Sequence, residues 1–183
     1  MKSVDRFLRD ARIARARSWI PAGARVLDVG CLDGEMFRQL RGHIGPSVGI
    51  EPTLDTRVVR PGYELLPGLF PDAAPEGRMF DVITMLAVLE HIPPDPQSRL
   101  AEMCAALLEP GGRVVITVPS PRVDAILHVL LKLRLIDGIS AHEHYGFEPK
   151  ATPLVFPEPR FRMLKRKRFQ LGLNNLFVFE RAA

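Results

Sequence analysis

Asp28, Gly30 and Gly34 stand in VLDVGCLDGEMF, residues 26 to 37, and Glu51 closes the apolar run SVGIE twenty-one residues after Gly30. An apolar run that enters glycines and then a helical pattern has the form of a strand, a tight turn and a helix, with the turn facing a ligand. In that arrangement Gly30 lets the backbone approach the ligand, Gly34 lets the helix start close to the strand, and Asp28 lies near the strand end. A carboxylate at Glu51 can accept hydrogen bonds from both hydroxyls of a ribose. Leu32 occupies the place where a nucleotide loop often has another glycine, so the GxGxxG spacing that brings a diphosphate against bare N–H groups is absent. A nucleoside without phosphate, whose cationic end uses backbone carbonyls and nearby acids, tolerates a side chain there. S-adenosylmethionine has that chemistry, and a nicotinamide dinucleotide fits it poorly.

Further along the chain, His91 lies in LEHIPP beside Glu90, just past an apolar strand, and AHEHYGFEP places His142, His144 and Tyr145 in one loop. These rings could position or deprotonate an acceptor at the same edge. His142 and His144 are two residues apart, no HExxH pattern occurs, and Cys31 and Cys104 show no CxxC spacing, so no metal site is expected.

These residues need elements to hold them. FLRDARIARARSWI reads as an amphipathic helix stopped by Pro21, with Phe7, Leu8, Ile13, Trp19 and Ile20 as its apolar set. ARVLDVG and PSVGIE are buried strands, GEMFRQLRG a short helix, TLDTRVVR a weakly helical stretch, and YELLPGLF a short third strand. MFDVITMLAVL is the strongest strand start. In the helix that follows, Leu100, Met103, Cys104, Leu107 and Leu108 share one face, and Gly111 and Gly112 are expected to close it. RVVITVP is a near-continuous apolar strand, RVDAILHVLLKLRLID a helix apolar almost all round, and FRMLKRKRFQ with LFVFERA an antiparallel hairpin. Strands alternating with helices predict an α/β, doubly wound, mostly parallel sheet ending in that hairpin.

VLDVGCLDG, VGIEP, FDVITMLAVLEHIP and LLEPGGRVVITVPSP, in this order, resemble the class I S-adenosylmethionine-dependent methyltransferases, in particular small bacterial enzymes of the ubiquinone-biosynthesis type. The resemblance covers residues 22 to 120 well and the terminal hairpin loosely. It implies a seven-stranded Rossmann-like methyltransferase fold in a single domain over residues 1–183. Residues 1–21 would form the N-terminal helix, and 121–150 an apolar helix and loop over the acceptor side. It further implies that Gly30 and Cys31 line the methionine part of the donor and that Glu51 binds the ribose. Pro52, Leu69 and Phe70 would flank the adenine, while Met85 and Leu86 close the donor pocket from the other side. Leu32 departs from the family pattern, and so does the region of the third strand.

Composition sets the remaining bounds. The 183 residues, 46% hydrophobic and 25% charged, suit one domain with a real core. Neither a long apolar span nor an apolar leader pattern is legible, so a cytoplasmic location is the expectation. Residues 1 to 25 hold seven Lys/Arg against two Asp/Glu and residues 160 to 183 hold seven against one, whereas the middle has eleven against eighteen, so the net +4 is concentrated at the ends. Basic ends beside an apolar helix would suit a small hydrophobic or lipid-linked acceptor and a peripheral membrane contact. Nucleic acid is not favoured, because no stacking motif accompanies the charge. The rival to a catalyst is a sensor or scaffold of the same fold that binds S-adenosylmethionine without turning it over.

Overall fold

Strands whose successive side chains are all apolar can persist only where both faces of their sheet are covered. The computed structural model, which describes residues 3–120 and 147–182, shows that arrangement. Helix α1 (Ser3–Arg17) leads into β1 (Val26–Val29), α2 (Glu35–Gln39), β2 (Ser47–Glu51), β3 (Val58–Arg60) and β4 (Tyr63–Pro67). Then come β5 (Phe80–Leu86), α3 (Pro94–Leu107), β6 (Leu108–Pro119), β7 (Phe161–Phe169) and β8 (Asn174–Arg181).

The strands form one sheet in the order β3-β4-β2-β1-β5-β6-β8-β7. Strands β4, β2, β1, β5 and β6 are mutually parallel, while β3 and the β7–β8 hairpin run antiparallel to their neighbours. The doubly wound α/β sheet with its terminal hairpin is thus the one expected, with an eighth strand added. After β1 the chain winds outward through β2 and β4, and from β5 it winds the other way. The crevice of such a sheet opens at that reversal, beyond the C-terminal ends of β1 and β5.

Alternation along each strand sorts the core into two layers. Leu27, Val29, Ile83, Met85, Val114, Ile116, Phe177 and Phe179 face α3, where Leu100, Ala101 and Cys104 pack on them. Val26, Val82, Val115, Leu176 and Val178 face the other way, onto Ile13 and Ala16 of α1 and onto Met36, Phe37 and Leu40. The buried stripe of α1 is therefore Ile13 and Ala16, continuing to Ile20, whereas Phe7, read from the sequence as part of it, is 67% exposed.

Two local expectations are corrected. The stretch expected to be weakly helical contains β3, with Val58 opposite Leu65 and Arg60 opposite Tyr63. Pro61 and Gly62, the latter at φ +89°, make the turn that folds it back, and β-branched Val58 and Val59 favour extended backbone. Likewise, α3 ends at Leu107 and not at the glycines. Gly111 and Gly112 lie inside β6, where the pairing with β5 shifts between Phe80↔Leu108 and Val82↔Arg113. The extra residues are absorbed as a bulge, and Gly111 takes φ +74° within it.

Gly49 in β2 ties this packing to the glycine turn, because a Cβ there would come within 2.5 Å of Cys31 Sγ and 2.8 Å of Leu65 Cδ2. Gly49→Ala is expected to lower unfolding stability by about 1–3 kcal/mol through overpacking, read from urea denaturation midpoints at unchanged slope.

Candidate functional site

The turn after β1 is clasped by the end of β2. The Gly30 and Cys31 N–H groups donate to the Ile50 carbonyl at 2.8 and 3.2 Å, and the Leu32 N–H donates to Glu51 Oε2 at 3.0 Å. The other Glu51 oxygen accepts from the Thr53 N–H at 3.0 Å and from Thr53 Oγ1 at 2.6 Å. Gly30 adopts φ +74°, and a Cβ on it would come within 2.5 Å of Val88 Cγ2 in the segment after β5. Gly34, at φ +76°, starts α2 against Tyr63 and Leu65 of β4, which a Cβ would approach to 3.1 and 3.3 Å. Both glycines therefore stand where backbone must come close to another element.

Leu32 sits at φ +48°, a left-handed conformation that glycine adopts freely and leucine adopts at a cost of about 1–2 kcal/mol. The departure from the usual glycine is real in sequence but not in backbone shape.

Above this turn lies a cavity of about 440 Å³, within the range of small-ligand sites. Its floor is Asp28, the turn residues Gly30, Cys31, Leu32 and Asp33, then Glu35 and Met36 of α2, with Leu86 at the end of β5. Its roof is α1, through Asp5, Leu8, Arg9, Arg12 and Ile13. Sequence reasoning placed no α1 residue at the site. The signal was present, because Asp5, Leu8, Arg9 and Arg12 fall at i, i+3, i+4 and i+7 on one helix face.

A buried carboxyl and a half-buried guanidinium define the chemistry. Asp28 is 4% exposed and accepts a 2.6 Å hydrogen bond from Thr84 Oγ1. Burial, reinforced by the nearby Glu51 charge and opposed by the Thr84 bond, pushes its carboxyl up to about 7. On the roof, burial holds the Arg12 guanidinium below its ordinary value, against the raising influence of Glu90 and Asp5. Arg12 Nε is buried with no hydrogen-bond partner among the described residues. Burial also pushes the Cys31 thiol well up, so that cysteine is wall and not nucleophile.

The remaining expected residues divide. Leu86 lines the cavity with Gly30 and Cys31, but Met85, its expected companion, is fully buried in the α3-side core because adjacent strand residues point to opposite faces. Gly34 and Glu51 sit just outside the wall and shape the turn. Pro52 is exposed, Leu69 is 67% exposed and Phe70 packs on the α3-side core; the Gly68 N–H reaches the Glu51 carbonyl at 3.3 Å, which brings this loop beside Pro52. His91, half-buried in the Leu89–His91 turn, does not line the cavity. His142, His144 and Tyr145 lie outside the described residues. Among the described residues no cluster of three potential metal ligands occurs.

Residues 2–152 match the methyltransferase domain family. The chain belongs to that family. It falls within the class I S-adenosylmethionine-dependent methyltransferases. A ubiquinone biosynthesis O-methyltransferase of Vibrio vulnificus is 33% identical over 137 residues, 68% of this chain and 57% of the relative. One from Xanthomonas axonopodis pv. citri is 35% identical over 107 residues, 53% of this chain and 44% of its own length. The chain thus spans about half the length of the curated relatives it matches. Two solved structures share the fold. The Synechocystis magnesium protoporphyrin IX methyltransferase with bound SAH has TM-score 0.66 at 18% identity, over 97% of this chain and 85% of that one. The N-methyltransferase NodS of Bradyrhizobium japonicum has TM-score 0.64 at 14% identity, over 96% and 95%.

Because the Asp28 pKa is raised above that of an unfolded aspartate, the folded protein holds a proton there that the unfolded chain has lost. Stability therefore falls by a few kcal/mol as pH rises from about 4 to about 7. Asp28→Asn should flatten that decline, measured as melting temperature against pH. A cationic ligand needs the ionised carboxylate, so its affinity should rise as pH passes through about 7 in the unsubstituted protein and stay level in the variant.

Proposed function

We propose that this chain transfers a methyl group from S-adenosylmethionine to an oxygen of a small hydrophobic acceptor, acting in the cytoplasm. The observation that carries the donor half is that one cavity is lined by a buried carboxyl, Asp28, and by a half-buried arginine, Arg12, whose buried Nε lacks a partner among the described residues. An amino-acid end carries one ammonium and one carboxylate, which match those two groups in sign. The Leu86 wall and the Gly30–Leu32 turn then hold the rest of the donor, and Asp28, Gly30, Cys31 and Gly34 bind or shape its methionine end.

Glu51 would take the ribose. Of the four acceptor positions on its carboxylate, three are used by the Leu32 N–H and by Thr53, so gripping two hydroxyls requires the exposed Thr53 side chain to turn away. Pro52, Leu69 and Phe70 supply apolar surface beside that carboxylate for a purine.

When bound, the sulfonium donor supplies an already activated methyl group, and holding acceptor, methyl and sulfur in line contributes roughly 7–11 kcal/mol toward lowering the barrier. The residues of this chain orient the donor, exclude water beneath α1 and, for a hydroxyl acceptor, remove a proton. The base is one of His91, His142, His144 or Tyr145. Oxygen as the acceptor atom is favoured by the relatives' name, ubiquinone biosynthesis O-methyltransferase. The cytoplasmic assignment draws support from the described residues, where no helix is long and apolar enough to cross a membrane.

Titration calorimetry with S-adenosylmethionine tests the donor half. Arg12→Ala and Glu51→Ala should each weaken binding by about tenfold or more, since hydrogen bonds to charged groups contribute roughly 1.5–3 kcal/mol. Unchanged affinity in both variants defeats this assignment. For the acceptor half, a hydrophobic phenol is the probe. The correct base, replaced by alanine or phenylalanine, should slow turnover about a hundred- to ten-thousand-fold at unchanged donor affinity. Donor binding without formation of S-adenosylhomocysteine across a panel of acceptors would instead indicate a scaffold.

A further inference from the structure

Strand β7 is the outermost strand of the sheet, and its sequence, FRMLKRKRF, is exposed at Arg162, Met163 and Lys165 through Arg168. Arg162 is paired with Glu180 at 2.7 Å. For the other four cations, no carboxylate among the described residues lies within ion-pair distance. Register against β8 sets Lys165 and Lys167 opposite Val178 and Leu176, on the α1 side, and Arg166 and Arg168 opposite Phe177 and Asn175, on the α3 side. From α1, Arg15 adds a fifth charge, its guanidinium lying 5.9 Å from the centre of the Phe169 ring. Both faces of one edge are therefore basic, beside a chain whose middle is acidic.

The tip of the hairpin carries a second, independent feature. Leu171 is completely exposed and adopts φ +56°, directly after Gln170 at φ +50°. A turn in this conformation is most stable with glycine or asparagine, so leucine gains nothing for the fold there. The tip also has a fixed place: Asn174 pairs with both Phe169 and Pro119, and the Ser120 N–H donates to the Leu173 carbonyl at 2.7 Å. It stands at the C-terminal edge of the sheet, where β1 and β5 deliver Gly30 and Leu86 to the cavity.

Charge on an edge strand can simply prevent edge-to-edge aggregation. That role needs no apolar residue at the tip. A single-stranded nucleic acid would use exposed aromatic rings for stacking, but Phe161 and Phe169 are buried. An aliphatic side chain projecting beyond a row of long cationic ones matches a bilayer surface, with ammonium and guanidinium groups at anionic headgroups and the leucine in the interface.

We propose that β7 and the hairpin tip form a peripheral docking surface for an anionic lipid bilayer, holding the cavity edge of the sheet toward the membrane. This surface does not depend on donor binding, so loss of either property leaves the other intact.

Flotation of the full chain with phosphatidylcholine vesicles, with and without phosphatidylglycerol, tests it. Binding is expected only to the phosphatidylglycerol vesicles and should weaken with salt. Lys165→Gln combined with Lys167→Gln should lower partitioning about thirtyfold, from roughly fivefold per cation near a charged membrane surface. Leu171→Ser should lower it several-fold at every salt concentration, and both variants should retain the unsubstituted melting temperature. Equal binding to neutral vesicles, absence of vesicle binding, indifference to these substitutions, or displacement from vesicles by single-stranded RNA each overturns the proposal.

Discussion

The end of β2 holds the turn that follows β1, through the Ile50 carbonyl and the Glu51 carboxylate, and the site depends on that clasp. Without it the turn would be free to leave the left-handed conformation that Leu32 adopts against its own preference. Because Glu51 is nearly buried, its carboxylate needs hydrogen bonds to offset the loss of water, and the Leu32 and Thr53 groups provide them. One side chain thus serves the fold while standing where a ribose would be recognised. The constraint also explains why a non-glycine residue is tolerated at position 32: its N–H is engaged in a charge-assisted bond.

Around that turn the electrostatics are built by burial more than by contact. Asp28 comes from a strand and Arg12 from the helix packed on the sheet, so among the described residues two groups of opposite charge flank one small volume with no ion pair between them. Each is shifted toward its neutral form by desolvation. A ligand that offers the complementary charges recovers part of that lost solvation, which is a reason for such a site to prefer a zwitterionic end to a diphosphate. Helix α1 is therefore part of the site, and its anchoring through Ile13 and Ala16 to the sheet is what positions Arg12.

The far edge of the sheet has a different logic. Phe161, Phe169 and the β8 phenylalanines bury the hairpin against both core layers, leaving the charged residues of β7 outward. Stability is supplied by β8, which lies between β6 and β7, so the outer strand is free to carry side chains that contribute nothing to the interior.

Much of this was legible in the chain itself, because it rests on local pattern. Near-continuous apolar runs at 26–29, 47–51 and 113–118 have to be strands covered on both faces, and Gly30 with Gly34 mark a turn whatever surrounds it. The short strand β3 escaped because three residues carry too little periodicity to outweigh a neighbouring helical pattern, although Pro61–Gly62 was a usable turn signal. Gly111 and Gly112 read locally as a helix end but belong to a bulge, since only pairing with β5 decides where the extra residues go. What the sequence by itself determined was the order of the longer strands and helices and the identity of the turn, for these follow from side-chain period and backbone freedom within a few residues. Only the tertiary structure decided that Met85 faces core while Leu86 faces the cavity, that Glu51 is already engaged by Thr53, and that Arg12 lines the same cavity as Asp28. Those facts depend on register and on helix placement between residues far apart in the chain, and no local pattern carries that information.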